Sequence, residues 1–207
     1  MTRQADVDAA IALGVDAVGF ILVAKSPRCV DVARAAALRR RLPPFVQSVV
    51  LVRNASADEV RNALAEIQPD LLQFHGEESP EFCTQFQHPF LKAIAMQDEP
   101  RTLAELAEAY RGVSALLLDG HAAGGLGGQG RAFDWQRATA RPTAPIVLAG
   151  GLHPENVAAA VTLVEPYAVD VSSGIEAAPG VKDSGKMLAF VREVQRADAE
   201  RESKTNA

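Results

Sequence analysis

Three ionisable residues stand at or just past the ends of apolar runs, where a buried strand would deliver them to a ligand. Leu116-Leu117-Leu118 leads into Asp119 and then Gly120, and Gly127-Gly128-Gln129-Gly130 follows shortly after. A carboxyl at the end of an apolar strand loses solvation, which raises its pKa and suits it to general acid work. A turn or helix-capping aspartate would have the same local sequence. The Gly120 to Gly130 segment has the composition of a loop able to close over a site, and equally of one that is simply flexible. Leu72-Gln73-Phe74 leads in the same way to His75, either a polar ligand contact or a structural histidine. Arg28 follows Ser26-Pro27 just past the run Ala17 to Val23. Its guanidinium fork suits a planar carboxylate, although a lone arginine also serves as a solvated surface charge.

Two glycine-bearing segments point to an anion. Ile146-Val147-Leu148-Ala149 ends in Gly150-Gly151, and Pro154-Glu155-Asn156 then opens a helix. Val169-Asp170-Val171 ends in Ser172-Ser173-Gly174. Glycines let a ligand approach the backbone, and amides at a helix start favour an anion. Glycines also make tight strand-to-helix turns, but two such segments in succession favour a phosphorylated substrate. His88, His121 and His153 have no metal-ligand spacing. Phe133 and Trp135 read as anchors of a short helix.

The elements that must position these groups alternate. Strand-like runs cover Ala17 to Val23, Val46 to Val52, Leu71 to Phe74, Leu91 to Ala95, Ala115 to Asp119, Ile146 to Ala149 and Ala168 to Val171. Helix starts lie between them: Ser56 with Glu59 forms a capping-box sequence, Pro80 follows Ser79 at a first helical position, and Thr102, Pro154 and Asp183 open others. Such alternation implies βαβ units and a parallel sheet. Seven strand candidates stand against eight helix candidates, because the chain opens on a helix, Arg3 to Leu13. The pattern therefore predicts a (β/α)8 TIM barrel whose first β-strand is missing from this chain, over an open doubly wound sheet. A single barrel domain would span residues 1–197, with a polar, frayed C-terminal tail at 198–207.

Bulk composition sets the class. The chain has 207 residues, a length for one domain, with 48% hydrophobic and 23% charged residues. The net charge of -5 disfavours a nucleic-acid surface, and Arg39-Arg40-Arg41 reads as a solvated helix end. No run approaches a membrane span, and no N-terminal secretory signal is expected. Two cysteines without metal or redox spacing, Cys29 and Cys83, suggest a reducing cytoplasm.

Taken together the motifs resemble those of phosphoribosylanthranilate isomerases. The segments are Gly14 to Phe20, Ser26-Pro27-Arg28, Gln73-Phe74-His75-Gly76, Leu118-Asp119, Gly128-Gln129-Gly130 with Phe133-Asp134-Trp135, Leu148 to Leu152 with Pro154 to Val157, Asp170 to Gly174, and Lys182-Asp183. They occur in order along almost the whole chain. The resemblance implies an aldose–ketose isomerase of tryptophan biosynthesis. It would convert N-(5'-phosphoribosyl)anthranilate to 1-(2-carboxyphenylamino)-1-deoxy-D-ribulose 5-phosphate, without cofactor or metal, as a monomer or homodimer. It further implies Asp119 as general acid, Arg28 on the anthranilate carboxylate, and Gln73 and His75 at the mouth. Gly128 would also contact substrate, and the amides of Gly150, Gly151, Ser173 and Gly174 would hold phosphate. The family's general base, a cysteine in a Lys-x-Cys-Gly-x-Thr motif, has no match after Met1. The expectation is that translation begins upstream and restores it. The competing readings are a truncated, catalytically impaired phosphate-binding barrel, or a related histidine-pathway phosphosugar isomerase.

Overall fold

The computed structural model describes residues 1–120 and 133–205. Seven strands form one parallel sheet: β1 (Ala17–Ile21), β2 (Gln47–Val52), β3 (Leu71–Phe74), β4 (Phe90–Ala95), β5 (Ala115–Asp119), β6 (Ile146–Leu148) and β7 (Ala168–Val169). The helices between them are α1 (Gln4–Ala12), α2 (Val32–Arg39), α3 (Ala57–Ile67), α4 (Pro80–Thr84), α5 (Leu103–Ala109), α6 (Val157–Val164) and α7 (Ser184–Thr205). A short antiparallel hairpin, β8 (Glu176–Ala178) and β9 (Val181–Lys182), follows the sheet. A 3-10 turn at Trp135–Ala138 stands where the sequence suggested a short helix anchored by Phe133 and Trp135.

Helix starts follow the side-chain chemistry. Ser56 and Glu59 exchange the two hydrogen bonds of a capping box, and Thr102 and Glu105 repeat it on α5. Ser79 caps α4 ahead of Pro80, and Asp31 accepts from the Arg34 amide on α2. The polar segment expected to fray from residue 198 continues α7 as far as Thr205. Arg196 is paired there with Glu193 and Glu200, contacts one helical turn apart that support an exposed helix end.

The strands are hydrogen-bonded in sequence order, β1 to β7, without the reversal that defines a doubly wound sheet. The expected eight-stranded closed barrel is nevertheless corrected. Among the described residues the sheet has seven strands and stays open, since β1 and β7 each pair on one side only. Burial marks the opening. Inward-facing residues of the central strands, such as Ala93, Ala115, Leu117 and Val147, are buried, whereas Ala17, Gly19 and Ala168 on the edge strands are exposed. Thr2 lies beside the opening, its hydroxyl donating to the Gly180 carbonyl at 2.5 Å, and the Met1 amino group donates to the Gly19 carbonyl of β1. A hydrogen bond or two from these residues does not replace a strand ladder, so the curvature of the sheet is not carried to closure.

Alternation along the strands separates two apolar clusters. Val50, Leu72, Phe74, Ile94, Leu116, Leu118 and Leu148 pack outward under the helices. Val49, Leu91, Ala93, Ala115, Leu117, Val147 and Ala149 fill the concave side. The concave set is the floor on which the polar residues at the strand ends rest.

Candidate active site

Residues two apart on a strand share a face, so Leu71, Gln73 and His75 point to the concave side, as do Ala115, Leu117 and Asp119. Gln73, His75 and Asp119 lie toward the C-terminal ends of β3 and β5, and one cavity is lined by these three together with Arg28, Asp170, Glu176 and Lys182. Gln73 Nε2 stands 2.9 Å from His75 Nδ1. With the amide donating, Nδ1 is the acceptor and the ring proton belongs on Nε2. That nitrogen faces Asp119 Oδ2 across 3.6 Å, longer than a direct hydrogen bond. Gln73 thus sets the ring, and the ring presents a donor toward the carboxyl.

Asp170, one residue beyond β7, completes the acidic side of the cavity. Solvent in the cavity reaches it, but surrounding protein raises its carboxyl above the ordinary aspartate value, and the nearby Asp119 charge adds to the rise. Opposite lies a cationic cluster. Arg28 donates from Nε and Nη2 to the two carboxylate oxygens of Glu176, each at 2.8 Å. Lys182 Nζ donates to Glu176 Oε1 at 3.1 Å and to the Ser172 carbonyl at 2.7 Å. Burial pushes the Glu176 carboxyl up, but the hydrogen bonds and charges of Arg28 and Lys182 outweigh it and hold the group below its ordinary value. Burial lowers the Lys182 ammonium, with Glu176 opposing.

The glycine segments pack against this cavity, and Asp170, Val171 and Ser172 of the second line it. Gly150 and Gly151 both have left-handed backbone, with φ of 75° and 70°. Asn156 ties the loop down, its side-chain amide donating to the Gly151 carbonyl at 2.9 Å while its carbonyl accepts from the His153 amide at 2.8 Å. Gly174 lets the loop after β7 reach that loop, for a Cβ there would lie 1.9 Å from the Leu152 carbonyl oxygen. Ser173 and Gly174 form a 3-10 turn beside Ser172, which does line the cavity. Gly128 and the rest of the glycine-rich segment lie outside the described residues.

Four charged cavity residues were given no site role from the sequence: Arg53, Asp170, Glu176 and Lys182. Asp170 lies within the short apolar run Ala168 to Val171, a weaker form of the pattern that singled out Asp119. Glu176 and Lys182 had no such signal, because their hairpin reads as a polar loop. Neither cysteine belongs to the site. Cys83 is fully buried on α4, where burial raises its thiol to about 12, and the Cys29 thiol is raised by burial and by Asp31. Among the described residues no group of three or more His, Cys, Asp or Glu is placed to hold a metal ion, and no helix is long and apolar enough to cross a membrane.

The family model for N-(5'-phosphoribosyl)anthranilate (PRA) isomerase matches residues 1–193. The chain belongs to the PRA isomerase family. A PRA isomerase of Stenotrophomonas maltophilia (strain R551-3) is 51% identical over 199 residues, covering 96% of this chain and 91% of that one. The crystal structure of phosphoribosyl anthranilate isomerase from Thermus thermophilus superposes with a TM-score of 0.84 at 34% identity, over 95% of this chain and 96% of that chain. A further solved PRA isomerase, in complex with reduced 1-(o-carboxyphenylamino)-1-deoxyribulose 5-phosphate, gives a TM-score of 0.78 at 31% identity, over 95% of each chain. Membership of the PRA isomerase family decides against the histidine-pathway alternative.

Proposed function

We propose that this chain isomerises N-(5'-phosphoribosyl)anthranilate with Asp119 as the general acid. The isomerase activity and its place in tryptophan biosynthesis follow from the family. Asp119 protonates the ribose ring oxygen, the C1–O bond breaks, and the anthranilate nitrogen forms a Schiff base with C1. Loss of the C2 proton then gives the enamine, which tautomerises to the 1-amino-1-deoxyribulose product. The observation that carries this reading is the placement of Asp119 on an apolar floor, with the His75 ring 3.6 Å from its carboxyl and Asp170 alongside. His75, held by Gln73, steadies the carboxylate that remains after proton transfer. No thiol among the described residues lines the cavity, and we assign the C2 proton to none of them.

Binding divides between two sides. Arg28 takes the anthranilate carboxylate, supported by its place in the cavity and its fork geometry. Amides of Gly150, Gly151, Ser173 and Gly174 take the phosphate, supported at Gly150 and Gly174 by backbone that admits no side chain. The free thiols of Cys29 and Cys83 support a reducing, cytoplasmic setting.

The test is Asp119→Asn, followed by anthranilate fluorescence. The expected fall in kcat is about 10²- to 10⁴-fold, with an unchanged circular dichroism spectrum. A kcat near that of the wild type refutes the acid role.

A further inference from the structure

Arg28 enters the cavity with part of its donor set already committed. A guanidinium offers five N–H donors and two edges on which a carboxylate docks bidentately, the side edge of Nε with Nη2 and the end edge of Nη1 with Nη2. Glu176 occupies the side edge with two hydrogen bonds of 2.8 Å, and both side chains are nearly buried, at 12% and 5% exposure. Such a pair is rigid, because either rotation breaks two charge-assisted bonds at once.

Glu176 is itself fixed at several points. Lys182 Nζ donates to its Oε1, Lys186 Nζ donates to its backbone carbonyl at 2.8 Å, and Glu176 pairs with Lys182 across the β8–β9 hairpin. The turn of that hairpin sits on the Arg28 loop. Gly180 has φ of 80°, and a Cβ on it would lie 3.0 Å from the Pro27 carbonyl oxygen. Hairpin and loop therefore dock as one unit, although Arg28 and Glu176 are 148 positions apart. Counting Arg28, Lys182 and Glu176, the cluster keeps one net positive charge, which matches a single carboxylate.

We propose that Glu176 is a positioning residue for substrate recognition, gripping Arg28 by its side edge so that the end edge meets the anthranilate carboxylate. This rests on the carboxylate role of Arg28 given above. A different role for the same contact, an internal anion competing with substrate for Arg28, has the opposite sign in binding.

The experiment is calorimetric titration of the wild type and Glu176→Gln with two ligands. One is reduced 1-(o-carboxyphenylamino)-1-deoxyribulose 5-phosphate, and the other is the same compound with phenyl in place of carboxyphenyl. Glutamine can accept from one Arg28 donor but turns an N–H toward the other, which breaks the grip. The carboxylated ligand is expected to lose about 10-fold or more in affinity, the carboxyl-free ligand about 2-fold or less. Equal weakening of both would make Glu176 a structural residue, and tighter binding of the carboxylated ligand would make it a competing anion; each overturns the proposal, as does an unchanged affinity. A wild type that fails to prefer the carboxylated ligand removes the Arg28 role itself, and one that binds neither removes the isomerase site, with this inference in both cases. Should Glu176→Gln not fold, Glu176→Asp keeps the charge but, one methylene shorter, no longer reaches both Arg28 donors, and the same selective loss is expected.

Discussion

Gly150 stands so close to Asp119 that a Cβ at position 150 would lie 2.8 Å from Asp119 Oδ1 and 2.2 Å from the Gly120 amide nitrogen. The end of β6 thus fixes where the carboxyl at the end of β5 can lie, and only a residue without a side chain fits between them.

Gly150→Ala is accordingly expected to act on both stability and chemistry. The left-handed φ of 75° alone costs an alanine about 1–2 kcal/mol, and the contact with backbone adds to it. A fall in melting temperature together with a fall in kcat of about 10-fold or more checks the prediction. Unchanged kcat would mean that the position of Asp119 is not limiting.

Gln73→Met should leave the fold intact and slow turnover, since it removes the contact that sets the His75 ring. The loss of one buried hydrogen bond of this kind corresponds to about 5- to 15-fold in kcat/KM. Steady-state kinetics beside thermal melting separates this from simple destabilisation.

Lys92→Met probes the other face of the sheet. Lys92 Nζ lies 3.2 Å from Glu78 Oε2 and also donates to the Gly76 carbonyl at 2.5 Å, while Glu78 accepts from the amides of Asn54 and Gly76. These bonds bolt the loop after β2 to the loop that carries His75. Removing the cation leaves a buried carboxylate unpaired, at a cost of about 3–5 kcal/mol in urea unfolding. Adding Glu78→Gln should recover part of the loss.

Acid should weaken the fold in part through Glu176. Its folded-state pKa lies below the ordinary 4.5, so its contribution is present above that value and is lost as pH falls through the folded pKa. Urea midpoints measured from about pH 6 down to about pH 3 should fall less steeply in Glu176→Gln than in the wild type. Equal slopes would show that the Arg28 pair contributes nothing to acid sensitivity.

Much of this molecule was legible before its structure. Apolar runs of four to seven residues ending in Asp119, His75 or glycine identified strands and the end of the sheet where chemistry gathers, because apolar continuity and desolvation are local properties. Capping at Ser56, Ser79 and Thr102 was equally local. Closure of the sheet was not. Whether β1 and β7 meet depends on edges brought together from opposite ends of the chain, and the structure leaves them apart. The continuation of α7 through residue 205 was also unexpected, since charge pairs one turn apart can extend a helix beyond the apolar residues Met187, Phe190 and Ala197 that anchor it. Above all, the grip of Glu176 on Arg28 joins residues whose sequences carry no sign of each other. By itself the sequence determined which residues could do chemistry and which strand ends would carry them. Only the tertiary structure decided which charges face one another, because that depends on how a loop and a distant hairpin pack.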